Sequence, residues 1–207
     1  MKILITFISL ILLSTCTPSP ALSLKNSTQK QIIALQPFDN YDDSILYLLS
    51  FEIRDFFNKQ TIILNPIKIP GHFLDTNIRQ YSADSLIMLL SGLRNDTIVE
   101  VVGLTHSPIF TLKGKEYRVP HYDENIFGLG YQPGNACVVS DLRFRSDYQT
   151  LYLNRLKKVI IHEIGHNLDL AHCQNKKCLM SEKNGNTIIL DKSGNDYCPK
   201  CKNDLYD

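Results

Sequence analysis

Apolar residues recur every three to four positions in three stretches of the chain. In four others they alternate or run together, and the two kinds interleave. Ile45, Leu48, Leu49, Ile53 and Phe56 fall on one face of a helix over residues 44–57, with Asp43 placed to cap it. A second helix is predicted from Ser82 or Asp84 through Leu93. A third spans residues 148–168, where Leu151, Leu156, Val159, Ile160, Ile164 and Leu168 form the core side and Lys157 and Lys158 face solvent. Strands are predicted over residues 32–35, 61–64, 97–104 and 136–140, with short edge strands at 109–110 and 126–127. Helix and strand alternating along one chain give an α/β (α+β) domain, a twisted and mostly parallel sheet covered by two or three helices. Gly128, Gly130 and Gly134 mark turns or close backbone approach. They form no phosphate loop, because neither a helix nor a Lys-Ser/Thr pair follows at the required distance.

The N-terminal stretch does not belong to that domain. After Lys2 an apolar run over residues 3–13 is broken only by Thr6 and Ser9. It is shorter than the roughly 20 residues that span a bilayer, and it fits the core of a secretory leader. Leu13-Ser14-Thr15-Cys16 resembles a bacterial lipoprotein processing site with Cys16 as the lipidated residue; cleavage near Ala21 is the other reading. The expected organisation is a signal peptide over 1–15, a flexible polar tether over 16–31 and one domain over 32–207. The protein is then exported and held by lipid to a bacterial cell envelope membrane, the alternative being a soluble periplasmic or secreted protein.

Charge removes other classes. The net charge is +1 from 22 basic and 21 acidic residues, with no basic stripe or acidic tail, so no nucleic acid partner is expected. A monomer is expected.

The chemistry lies in the third helix and after it. His162 and His166, four residues apart, share a helical face, Glu163 sits beside them, and His172 follows if the chain turns back. Three imidazoles leave one position open on a tetrahedral zinc, the ligand count of a catalytic ion. Water there is acidified, and Glu163 is placed to take its proton. Of the six cysteines, Cys173, Cys178, Cys198 and Cys201 form a C-x4-C and C-x2-C set that closes a structural zinc shell, with two disulfides as the alternative for an exported protein. Cys137, in apolar surroundings, is expected to be a buried free thiol.

Together these motifs resemble the archaemetzincins, a branch of the metzincin zinc peptidases. The signature HExxHxxGxxHC, then x4-C-x-M, then x17 and C-x-x-C, is matched by His162, Glu163, His166, His172, Cys173, Cys178, Met180, Cys198 and Cys201. Phe127-Gly128, Ala136, Val138-Val139-Ser140 and Arg143 resemble the strand and turn before the active helix, and residues 101–105 resemble the central strand. The resemblance implies a metzincin-like zincin fold with a zinc-bound C-terminal subdomain and two zinc ions per chain. It also implies Glu163 as general base, Met180 beneath the histidines, and a peptide or protein substrate laid along an edge strand between residues 126 and 140. A zinc-stabilised peptide-binding module with little turnover is the alternative function.

One position departs from the pattern. Asp169 stands where the family has glycine, at a turn that requires positive φ. His72, His106 and His121 are not assigned to metal; His121 is expected in a surface loop. Asp141 and Asp191 are candidates to orient the histidines.

Overall fold

The computed structural model of the chain describes residues 31–113, 121–123, 126–183 and 185–205. The expected leader, Cys16 and nearly all of the tether lie outside that set. The order of elements is β1 (Ile32–Pro37), α1 (Asp43–Phe57), β2 (Gln60–Ile63), β3 (Leu74–Asp75), β4 (Gln80–Ser82), α2 (Ala83–Ser91), β5 (Ile98–Thr105), β6 (Ile109–Lys113), β7 (His121–Asp123), β8 (Gly128–Gly130), β9 (Ala136–Ser140), α3 (Gln149–Asn167), α4 (Thr187–Lys192) and α5 (Pro199–Asp204). Five strands form one sheet in the order β2-β1-β5-β9-β8, parallel except for β8, which runs antiparallel to β9 at the edge.

The two-residue period of the strands feeds two apolar layers. Ile33, Leu35, Val102, Leu104, Cys137 and Val139 pack with α1 and α3 on one face; Ala34, Val101, Ala136 and Val138 pack with α2 on the other. A large apolar side chain fully buried in such a layer contributes about 1.5–3 kcal/mol, and Leu35, Leu49, Leu86, Leu104 and Ile160 are all fully buried. Cys137 is buried and free, as expected from its surroundings.

Several expectations need correction. The α1 cap is Asp42, whose Oδ1 accepts from Ser44 N at 2.7 Å, and Leu46 rather than Leu48 joins the core; Leu48 is 41% exposed. Residues 109–110 are not at the edge of the main sheet. They open β6, part of a second, four-stranded sheet in the order β3-β4-β6-β7 that strands of two to five residues could not announce. The edge strand falls at Gly128–Gly130, two residues later than predicted. The backbone of His121 lies in β7, not in a loop.

Lys158 is also not in solvent. It is buried, and Nζ donates to the carbonyls of Ser193 at 2.7 Å, Leu190 at 3.3 Å and Asp191 at 3.4 Å. These carbonyls close the end of α4, where a cation also meets the negative end of the helix dipole. One turn earlier on α3, Arg155 grips the Asp191 carboxylate with Nε at 2.7 Å and Nη2 at 2.6 Å. Two basic residues of α3 thereby clasp the tail that follows His172.

At the carboxyl ends of β1, β5 and β9 a polar cluster joins three loops. His106 Nδ1 lies 3.0 Å from both oxygens of the fully buried Asp141, which also accepts from the Tyr152 hydroxyl and has Arg145 at 3.8 Å; the Tyr41 ring packs against the imidazole at a tilt, centroids 4.0 Å apart. Asp141 therefore orients His106 and no histidine of the α3 cluster. Hydrogen bonding to Asp141 raises the His106 pKa above its ordinary 6.5, against the opposing effect of burial. The folded state thus holds this proton more tightly than the unfolded state does. The charge-assisted part of the contact is fully present below about pH 6.5 and fades as pH rises through the raised value. The melting-temperature difference between the wild type and His106→Gln should therefore shrink from pH 6 to pH 8. A constant difference would show that the proton plays no part.

Candidate active site

Helix α3 presents His162 and His166 one turn apart on the face that meets the tail. The chain then reverses through a tight C-terminal turn: Leu170 N donates to Gly165 O at 2.9 Å and Asp169 N to His166 O at 2.8 Å, with Asp169 at φ 72°. This pair of bonds is the Schellman arrangement, which places the residue at Asp169 in the left-handed region. Aspartate takes that conformation at about 1 kcal/mol, so the turn forms without the family glycine. It sends the chain to His172 and leaves the Leu170 carbonyl beneath His166.

The three imidazole rings then converge, with centroids 4.7 to 5.3 Å apart. One ring nitrogen from each of His162, His166 and His172 lies within 4.8 Å of the others. His162 Nδ1 donates to the Leu179 carbonyl at 2.7 Å and His166 Nδ1 to the Leu170 carbonyl at 2.8 Å. In the neutral rings both Nε2 atoms are therefore bare lone pairs, and they face each other at 3.2 Å. Two acceptors this close need a shared cation, and tetrahedral zinc with bonds of 2.0–2.1 Å sets its nitrogens about 3.3 Å apart. Burial and neighbouring positive groups keep the rings neutral: His162 lies well below its usual range, His166 falls to about 4, and His172 is lowered. The donor set fits a metal ion.

The Glu163 side chain lies against the edge strand. A Cβ on Gly128 would stand 2.8 Å from Glu163 Cγ, and one on Gly130 would stand 2.4 Å from the Glu163 carbonyl oxygen, so only glycine lets β8 lie this close. Burial raises the Glu163 carboxyl to about 8, opposed by a hydrogen bond from Gly130 and by the Lys183 ammonium. A dication at the three nitrogens would favour the ionised form further.

Against α3 at Gly165, Met180 is fully buried, and a Cβ on Gly165 would come within 2.4 Å of its sulfur. The thioether packs into a notch in α3 that glycine leaves open. Beyond it the four cysteine sulfurs lie within 4.8 Å of one another. Cys173 to Cys198, Cys178 to Cys201 and Cys198 to Cys201 are each 3.7 Å. A disulfide would bring two of them to about 2.05 Å. Tetrahedral zinc with 2.3 Å bonds would separate them by about 3.8 Å, which fits the observed spacing. All four are free thiols.

Every sequence-predicted ligand is thus brought into one of two clusters. The orienting partners are different from those expected. Carbonyls of Leu179 and Leu170 hold the imidazoles, while Asp191 pairs with Arg155. Also unanticipated are Asn167, whose Nδ2 donates to buried Glu100 at 2.7 Å, and Tyr197, whose hydroxyl donates to the Ile161 carbonyl at 2.7 Å. Both tie the active helix to its surroundings through residues whose types carry no signal at their spacing.

Converging neutral imidazoles, with a carboxyl on the next residue and an open sheet edge alongside, are the equipment of a zinc-dependent peptidase, and known proteins agree. The model of Peptidase family M54 matches residues 48–207, and the chain belongs to that family, the archaemetzincins. The archaemetzincin of Methanocaldococcus jannaschii is 30% identical over 184 residues, covering 84% of this chain and 93% of its own. That of Methanopyrus kandleri is 27% identical over 158 residues, covering 76% and 84%. A crystal structure of the Methanopyrus kandleri archaemetzincin superposes with a TM-score of 0.72 at 25% identity, covering 88% of this chain and 97% of the other. The protein is a zinc-dependent metallopeptidase with a mixed α/β fold, acting on peptide or protein substrates.

Proposed function

We propose that His162, His166 and His172 hold the catalytic zinc, that Glu163 is the general base, and that Cys173, Cys178, Cys198 and Cys201 hold a second, structural zinc. The observation that carries this reading is the pair of Nε2 lone pairs 3.2 Å apart, each fixed by an Nδ1–H committed to a carbonyl. When bound, zinc supplies an acidified water and polarises the scissile carbonyl. Glu163 takes the water proton and hands it to the departing amine. β8 is the last strand of its sheet among the described residues, and its outer edge is where an extended peptide would pair by backbone, which tolerates many sequences. Met180 supports the histidines from below without ligating. Cys173 directly follows His172, so the structural ion fixes the third ligand.

Metal content and peptide hydrolysis measured together test the reading: the native protein carries two zinc ions per chain and cleaves a mixed peptide library. A single ion would break the two-site assignment. Two ions without cleavage would favour a peptide-binding module.

The N-terminal expectations are carried forward as part of the same proposal. Residues 1–15 are removed, Cys16 is lipidated, and the tether leaves a monomeric domain at a bacterial envelope membrane. No helix among the described residues is long and apolar enough to cross a membrane. Intact mass of the wild type against Cys16→Ser decides it. An acyl increment lost in the variant supports lipidation, and cleavage at Ala21 without one sinks it.

A further inference from the structure

Lys183 lies three residues beyond Met180, and it is buried. Its ammonium has three acceptors: the Leu179 carbonyl at 2.8 Å, the Ser181 carbonyl at 2.6 Å and the Ser181 hydroxyl at 3.0 Å. The Leu179 carbonyl is the one that already accepts from His162 Nδ1 at 2.7 Å, so a single oxygen serves both donors. One residue on, the Met180 carbonyl accepts from Cys173 N at 2.8 Å, and Cys173 follows His172. The backbone over residues 178–181 therefore holds His162 directly and the residue that follows His172, and Lys183 closes it from inside.

The charge is felt across the site. It opposes protonation of His162, His166 and His172 and favours ionised Glu163. A lysine kept here against its burial penalty, with all its donors satisfied, suits a fastening for the turn better than a group that meets substrate.

We infer that Lys183 is a positioning residue of the peptidase: it locks the turn over residues 178–181 so that the Leu179 carbonyl fixes the tautomer and plane of His162. The inference rests on the zinc site proposed above. Two effects oppose each other at that site. A positive charge near a dication weakens its binding, so loss of the charge alone would tighten zinc. Loss of the fixed carbonyl would loosen it, and partners that orient a ligand are worth about 10–100-fold in metal affinity. All three ammonium contacts fall on that one turn, so losing the side chain frees the turn as well as removing the charge, and positioning decides the sign.

The test is competition for zinc between the fully loaded protein and a chelating indicator, in the wild type and in Lys183→Met. The expected result is that the ion at the histidines is released with a dissociation constant raised about tenfold. The four-cysteine site keeps its ion, the circular dichroism is unchanged, and kcat falls with KM held within about twofold. Unchanged or tighter zinc binding at the histidines would overturn the inference, as would equal loss from both sites. If the methionine variant does not fold, Lys183→Gln, which retains one amide donor, is read by the same outcomes. Absence of zinc from the wild-type histidines would defeat the site reading itself, whereas tight wild-type binding with unaltered affinity in the variant defeats only the role of Lys183.

Discussion

Glutamine at position 163 should leave zinc content at the wild-type level and lower kcat by about 10²- to 10⁴-fold, the range set by loss of a general acid-base group. The substitution changes one atom of a carboxyl that ligates nothing, and the amide fits the same space against Gly128. The buried site retains its volume, and the imidazoles retain Leu179 and Leu170 as partners. What disappears is the acceptor for the water proton, so the loss falls on kcat while KM changes little. Stopped-flow or fixed-time hydrolysis of one good peptide, with metal analysis of the same sample, reads all of these quantities. Wild-type turnover in the variant would remove Glu163 from the chemistry.

Cys198→Ser should do the reverse, emptying the proposed structural site and still lowering hydrolysis although no catalytic group is touched. A structural zinc holds its domain through binding energy available only to the folded chain. Cys198 offers one of the four clustered sulfurs and also starts α5, with its backbone N–H bonded to Cys178 Sγ at 3.2 Å. Loss of a metal falls in the class of substitutions that cost about 4 kcal/mol or more. For a domain of this size that lowers Tm by about 10 °C. Metal analysis should find one zinc fewer, and scanning calorimetry should show the drop. Activity should fall with them, because Cys173, one of the four, directly follows His172 in the chain. A variant that loses the ion yet keeps full turnover would separate the two sites and contradict the coupling.

The two metal clusters were legible in the sequence because their chemistry is carried by residue types at short spacing. His162 and His166 need only one helical turn, and the cysteine pairs need only two small loops. The parallel sheet was legible for a similar reason, since residues 98–105 and 136–140 are apolar enough on both faces to be central strands. What stayed hidden depends on partners brought together from far along the chain. Leu179 and Leu170 act through carbonyls, which every residue has, so no side chain advertises the role. Lys158 reads as a solvated charge until the tail folds over it and supplies carbonyl acceptors, and nothing in the spacing of Lys183 marks it as buried. Asp141 is a plausible orienting acid by type, and only the topology, with β5 beside β9, hands it to His106. The second sheet rests on strands of two to five residues, below the length at which alternation means anything.

The dependence of α3 on the tail sets an order of events during synthesis. His162 waits for Leu179, His166 for Leu170, and the turn that carries Leu179 waits for Lys183 and for a cluster of four cysteines completed only at Cys201. A growing chain that already displays His162, Glu163 and His166 therefore has no oriented imidazoles and no supported third ligand. The parts that orient the active helix are therefore the last to be made, and a chain truncated before Leu179 should carry His162, Glu163 and His166 without hydrolysing peptide.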